Sequence, residues 1–182
     1  MEQIDSNDFD SFLLLMEQEF GSDGSRREKP MQEIDTGLGF RVDIPQDFQK
    51  ATLEEATAIF WEKERPPILF LAPDKRAGIA FQRLEKNIEK EQWMEIVRQA
   101  IYQADNRTVF YENGMIGKED GIPWMEFKNF VSGGRVYHLV FLFRTEGRTF
   151  MGTFYCVFED YTEWKTAAFR MLQSMGKRQR KE

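Results

Sequence analysis

From Asn106 to Phe158 the side chains alternate with a period of two, and the run is cut by glycine-containing turns at 117–121, 133–134 and 146–147. No other feature constrains the fold as much. Turns this short join antiparallel neighbours, so the pattern predicts a four-strand meander with strands at 107–116, 122–131, 135–144 and 149–158. With two-residue loops at Gly133-Gly134 and Glu146-Gly147, the register sorts the side chains onto two faces. One face carries Trp124, Glu126, Lys128 and Phe130, then Tyr137, Leu139, Phe141 and Phe143, then Phe150, Phe154, Cys156 and Phe158. The other carries Met125, Phe127, Asn129 and Val131, then Val136, His138, Val140 and Leu142, then Met151, Thr153, Tyr155 and Val157. Both faces are largely apolar, and both therefore need cover.

The cover must come from the rest of the chain or from a partner. Trp93, Ile96, Val97, Ala100, Ile101 and Ala104 recur at helical spacing and predict a helix over 89–104. A second helix is expected over 161–175, with Trp164, Ala168, Met171, Leu172 and Met175 on one face and Gly176 as its terminator. These two helices are expected to cover one side of the sheet together. A short helix over 52–62 is expected behind Thr52 as its cap. Met31–Asp35 and Leu38–Ile44 suggest a hairpin turning at Thr36-Gly37 and stopping at Pro45. A second hairpin is expected from Ile68–Ala72 and Gly78–Leu84. The overall class is α+β with a predominantly antiparallel sheet.

At the N-terminus Phe9, Phe12, Leu13, Met16 and Phe20 predict an amphipathic helix over 8–20, followed by a Gly/Ser/charge linker to about Lys29. Residues 1–35 hold ten acids and three bases, while the remainder is close to neutral, although the whole chain carries −6. The acidity thus belongs to the extension. Residues 1–29 are expected to be that extension with its linker, 30–176 a single domain, and 177–182 a basic tail. The helix over 8–20 has two readings: it folds back over the uncovered sheet face as core, or it is a tethered recognition element.

Composition removes several function classes. One His and one Cys in 182 residues cannot build a Cys- or His-rich metal site or an internal disulfide. A near-neutral body supplies no basic stripe for nucleic acid. No stretch approaches the roughly 20 apolar residues of a membrane span, and residues 1–20 carry acids where a secretory signal would carry bases. A cytoplasmic protein without cofactor or metal is expected. Gly114–Lys118 lacks the phosphate-loop spacing, and Glu119 stands where the magnesium-binding hydroxyl would be. Gly37-Leu38-Gly39 lacks the dinucleotide fingerprint, and Asp5–Asp10 lacks the calcium-loop glycine and glutamate. The only available Cys–His pair, Cys156 and His138, falls on opposite faces of the meander, and no Gly-x-Ser-x-Gly elbow is present. No catalytic residue is assigned and no enzyme activity is expected.

On the second face Asn129, His138 and Tyr155 fall in a row across three strands. The row reads either as a polar grip on a ligand or partner, or as a hydrogen-bonded cluster that satisfies three half-buried groups. Met125, Met151 and Phe127 beside it are adaptable apolar contacts. Together with Phe9, Phe12, Leu13 and Met16 these are the partner-binding candidates. A protein partner is expected, and a homodimer is left open. The leading expectation is a non-enzymatic protein-binding module, a chaperone or adaptor holding an apolar segment on a sheet face. The alternative is a small-ligand or enzymatic pocket near Asn129, His138 and Tyr155.

Gly39-Phe40-Arg41-Val42-Asp43-Ile44-Pro45 near the start, and Glu163-Trp164-Lys165 through Leu172-Gln173-Ser174-Met175 at the end, bracket this order of elements. Over residues 31–176 the chain resembles the PsbP-like superfamily, which includes PsbP, the Ran-binding Mog proteins and the bacterial DcrB-like group with the similar Eag-type secretion chaperones. The resemblance implies an α/β/α sandwich around an antiparallel sheet, used mainly for non-enzymatic binding. It transfers no site residue, because no position matches a defined binding motif.

Overall fold

The computed structural model describes residues 28–60, 65–85, 88–117 and 121–178. The helix expected over 8–20, with Phe9, Phe12, Leu13 and Met16, lies outside the described residues. Strands β1 (Met31–Asp35) and β2 (Arg41–Pro45) form a separate antiparallel hairpin. A seven-stranded antiparallel sheet holds β3 (Gln49–Lys50), β4 (Ile68–Leu71), β5 (Ala77–Arg83), β6 (Val109–Ile116), β7 (Ile122–Val131), β8 (Gly134–Thr145) and β9 (Arg148–Val157) in the order β3-β4-β5-β9-β8-β7-β6. Three helices pack on it: α1 (Leu53–Ile59), α2 (Lys90–Ala104) and α3 (Tyr161–Arg178). No helix of the described residues is long and apolar enough to cross a membrane.

The four strands of the meander pair as expected, and β7, β8 and β9 have the expected faces. The β8–β9 turn is Glu146-Gly147, with both residues left-handed (φ 48° and 71°), the conformation a two-residue hairpin loop demands. The β7–β8 turn is Ser132-Gly133 rather than Gly133-Gly134, because Gly133 takes the left-handed position (φ 88°) and Val131 pairs with Gly134. The resulting shift in pairing is even, so every side chain keeps its predicted face.

Helix placement departs from expectation. The long helix and the C-terminal helix lie on opposite faces, not on the same one. β5 pairs with β9 in mid-sheet, whereas β6 is at the edge, so the chain between them must cross β9, β8 and β7; α2 is that crossover, on the second face. The chain leaving β9 then turns through Phe158–Asp160 and lays α3 on the first face, beside the β1–β2 hairpin. Cover on both sides makes the α/β/α sandwich.

The first face is closed over most of its area, with Trp124 and Phe130 half-buried at its margin. Trp164, Ala168, Met171, Leu172 and Met175 of α3 are all buried, as their spacing predicts. Phe40 sets its ring on Phe81, Phe143 and Phe150, with centroids 4.7–5.2 Å apart, and Val42 and Ile44 are fully buried. Lys29, expected near the end of a linker, places its ammonium 3.9 Å over the Trp164 ring and 2.6 Å from Glu163. Gly176 does not end α3: the helix runs through it, where the missing side chain admits Ile116 of β6. The β1–β2 loop is also longer than expected, spanning 36–40, because Thr36 bonds Phe40 through both its amide and its hydroxyl (3.1 and 2.8 Å) and Gly37 and Gly39 are left-handed. Gly114–Ile116 form the end of β6, within the strand expected over 107–116.

Two charged side chains are sealed in this face. Glu126 and Lys128 on β7 are 2% and 0% exposed. Tyr137 donates to Glu126 Oε1 at 2.5 Å, and Lys165 of α3 reaches the same oxygen at 3.2 Å. Lys128 lies 5.0 Å from the Phe158 ring centroid and 5.3 Å from that of Phe130. The shared carboxylate ties helix to sheet, and removing it leaves the Lys165 ammonium without that partner in a poorly solvated layer. Glu126→Gln is expected to lower unfolding free energy by about 2–4 kcal/mol in urea titrations, the lower part of the range applying because Lys165 reaches solvent. Adding Lys165→Met should recover part of that loss; a cost for Lys165→Met as large in the Glu126→Gln background as in the wild type would show that the two do not interact.

Candidate functional site

α1 and α2 cover only parts of the second face. α1 is a two-turn helix held by a reciprocal cap, in which Thr52 accepts from the Glu55 amide and Glu55 accepts from the Thr52 amide; Lys75 pairs with Glu55 at 3.0 Å. It ends at Ile59, short of the expected 62, with Phe60 already extended. Ala56 packs over Leu69, Leu71 and Ala80 of β4 and β5. α2 packs Trp93, wholly buried, with Met125, Phe127, Val140 and Leu142. Of its predicted stripe, Trp93, Val97 and Ile101 face the sheet, while Ile96, Ala100 and Ala104 are exposed. The crossing places the i, i+4, i+8 row against the strands, with Met94 beside it.

Between the two helices the sheet stays open. A cleft of about 360 Å³ lies there, with Asn129, Val136, His138, Met151, Thr153 and Tyr155 as its sheet wall and Phe60 and Pro66 on the α1 side. The structure thus brings together four of the sequence-identified residues, Asn129, His138, Met151 and Tyr155. Met125 and Phe127 are instead buried (4% and 5%) beneath α2 and act as its packing surface. Gln82 and Ala80 had no sequence signal: they join the cleft through the β5–β9 pairing, with Ala80 opposite Thr153, and strands about 70 residues apart in sequence carry no local mark of being neighbours.

The polar row is only partly a hydrogen-bonded cluster. Phe127, not Asn129, stands directly opposite His138 and stacks on it at 4.6 Å with the rings 9° apart. Asn129 reaches the imidazole diagonally, with Oδ1 3.0 Å from Nε2. An Nε2–H donating to that oxygen leaves Nδ1 as an acceptor. Burial against Phe127, with no carboxylate nearby, pulls the imidazole from 6.5 down to about 4. His138 is therefore neutral at physiological pH. Tyr155 does not join the pair. Its ring lies over Gly78, where a Cβ would stand 2.5 Å from the phenol, and its hydroxyl is buried without a hydrogen-bond partner among the described residues. Burial pushes that phenol up to about 12. On the far side of the sheet, Cys156 pairs with Tyr137 and is fully buried, its thiol driven well up by burial first of all. Cys156 and His138 occupy opposite faces, as the register predicts. Among the described residues no group of three His, Cys, Asp or Glu is placed to hold a metal ion.

Sandwich, hairpin and crossover together define a PsbP-like fold. Cyanobacterial PsbP (CyanoP) from Synechocystis sp. PCC 6803 superposes with a TM-score of 0.56 at 12% identity, covering 86% of this chain and 96% of that one. Also similar are PA94 of Pseudomonas aeruginosa, a protein of unknown function and putative regulator (0.46, 12% identity, 79% and 94%), and LpqN of Mycobacterium tuberculosis, involved in cell envelope biogenesis (0.46, 13%, 80% and 88%). At these identities the likeness is one of fold alone. No family model matches the chain, and no curated protein matches it.

Two outcomes test the geometry of the row. Tyr155→Phe removes a hydroxyl that has no hydrogen-bond partner among the described residues, so stability should hold or rise by up to about 1 kcal/mol in thermal or urea unfolding; a loss above that would reveal a partner. The unfolded chain protonates His138 near pH 6.5 and the folded chain only near 4, so its contribution is flat above pH 6.5 and stability falls as pH drops from 6.5 towards 4. The fall attributable to this residue should be on the order of 2–3 kcal/mol, and His138→Gln, which keeps a partner for Asn129, should remove it from the pH profile.

Proposed function

We propose that this chain is a non-enzymatic binding module that holds an apolar partner segment in the cleft between α1 and α2, as a cytoplasmic chaperone or adaptor does. The observation that carries this reading is the cleft itself: an open stretch of an otherwise covered apolar sheet face, its rim formed by Ile59 and Val131, which are 39% and 49% exposed. Apolar side chains left in water at one place mark a surface that gains by being covered. Met151 in the wall adapts to varied contacts. A second reading, a small apolar ligand, is favoured by the cleft's volume, within the range of roughly 300–1,000 Å³ usual for such sites, and by the few polar groups along one wall.

Thr153→Trp fills the cleft from the sheet side, and Val136→Trp does so from the next strand. Affinity purification with the intact protein and with each filled variant, followed by mass spectrometry, tests the main reading. Partners recovered with the wild type and lost with a folded filled variant support it; an unchanged partner set would overturn it. Thermal-shift screening against metabolites, with the same variants as controls, tests the second.

A further inference from the structure

We propose that the occupant of the cleft, when no partner is bound, is residues 8–20 of this same chain, laid as an amphipathic helix across the floor between α1 and α2. This rests on the reading of the cleft as the binding site and adds its regulation: a partner segment enters by displacing a tethered competitor.

Among the described residues the groove has apolar banks as well as an apolar floor. Met94 and Arg98 of α2 line the hollow that also holds Asn113 and Met125. Phe127 packs beneath the helix, and Asn129, next on the same face of β7, lines the cleft. The cleft is thus on the other flank of α2, where helical geometry puts Ile96, Ala100 and Gln103. Ile96 is 45% exposed, and Ala100 is exposed beside it. On the opposite bank stand Ile59 and Phe60. The floor crosses β7, β8, β9 and β5, a width of about 14 Å at the usual strand spacing. A helix over residues 8–20 measures about 20 Å, enough to cross that floor and meet both banks. Phe9, Phe12, Leu13, Met16 and Phe20 give it the apolar stripe such a seat requires, with Ser11 and Gln18 opposite.

The point where this segment joins the domain is fixed. Lys29 sits over Trp164, its carbonyl accepts from Arg170, and the Pro30 carbonyl accepts from the Gln46 amide. That point belongs to the first face, yet the chain passes from Gln46 to Thr52, the cap of α1 on the second face, within a reach of at most about 20 Å. α1 carries it about 10 Å further, to Ile59 and Phe60 in the cleft. The stretch from Phe20 to Lys29 reaches about 30 Å, which equals that whole path. A segment tethered so closely is presented at roughly millimolar effective concentration, ahead of a second copy in dilute solution.

The test uses the full chain with a nitroxide on Ser11→Cys; Cys156 is fully buried and takes no label. In dilute isotope-labelled protein the nitroxide is expected to broaden the amide signals of Asn129, His138 and Thr153. Leu13→Asp, which breaks the apolar stripe, and Val136→Trp, which fills the floor without touching the segment, should each abolish that broadening. No broadening at these amides, or broadening that neither variant removes, overturns the proposal. So does equal broadening in isotope-labelled chains without nitroxide mixed with nitroxide-bearing ones, which makes a second copy the occupant. The uncharged dye Nile red reports on the cleft itself: Leu13→Asp should bind it at least about tenfold more tightly than the wild type, and adding Thr153→Trp should cancel the gain. Equal binding by wild type and Leu13→Asp, lost in Thr153→Trp, overturns the occupant and keeps the cleft. Dye bound by neither chain removes the cleft reading on which the proposal stands.

Discussion

A single antiparallel sheet that is apolar on both faces cannot stand alone in water, and most of the remaining structure answers that requirement. The first face is sealed by α3 and the β1–β2 hairpin, whose aromatic side chains interlock with those of β5, β8 and β9. The second face is covered by a crossover helix and a seven-residue helix, too little to span seven strands. The cleft is therefore the residue of a covering problem solved on one side and left unfinished on the other. Its position is set by topology, since α2 must travel from the centre of the sheet to its β6 edge and α1 is confined beside β4.

Local pattern carried the strands and failed at the layers. Period-two alternation placed β6 to β9 and assigned the side chains of β7, β8 and β9 to their faces, and an even register shift at Ser132-Gly133 left that assignment intact. Which helix covers which face depends instead on β5 joining β9, a contact between distant segments that no periodicity marks. The helical stripe of α2 was read three positions too wide, because periodicity reports which residues are apolar and not which row a crossing angle will press against strands. Gly176 looked like a helix stop because glycine so often is; its actual reason, space for Ile116, is tertiary.

The candidate site divides in the same way. Asn129, His138, Met151 and Tyr155 were legible because they share one parity on adjacent strands of the meander. Met125 and Phe127 share that parity too, yet lie under α2; parity gives the face and says nothing about what lies above it. The network of Glu126, Tyr137 and Lys165 was visible only as Glu126 and Tyr137 on one face, and its third member arrives from a helix on another part of the chain. The PsbP-like sandwich accounts for the packing residues at both ends of the domain, whereas the cleft owes its chemistry to side chains that the fold leaves free to vary.

The ring of Tyr155 occupies the place where position 78 would otherwise carry a side chain. The two positions behave as one site shared between neighbouring strands. A larger residue at 78 becomes acceptable only after 155 has become smaller, and the reverse order passes through a void in the floor of the cleft. Among descendants of this sequence, glycine at 78 and a large aromatic at 155 should be inherited together or lost together, and a lineage that exchanged them would carry a cleft with its deep end moved one strand along.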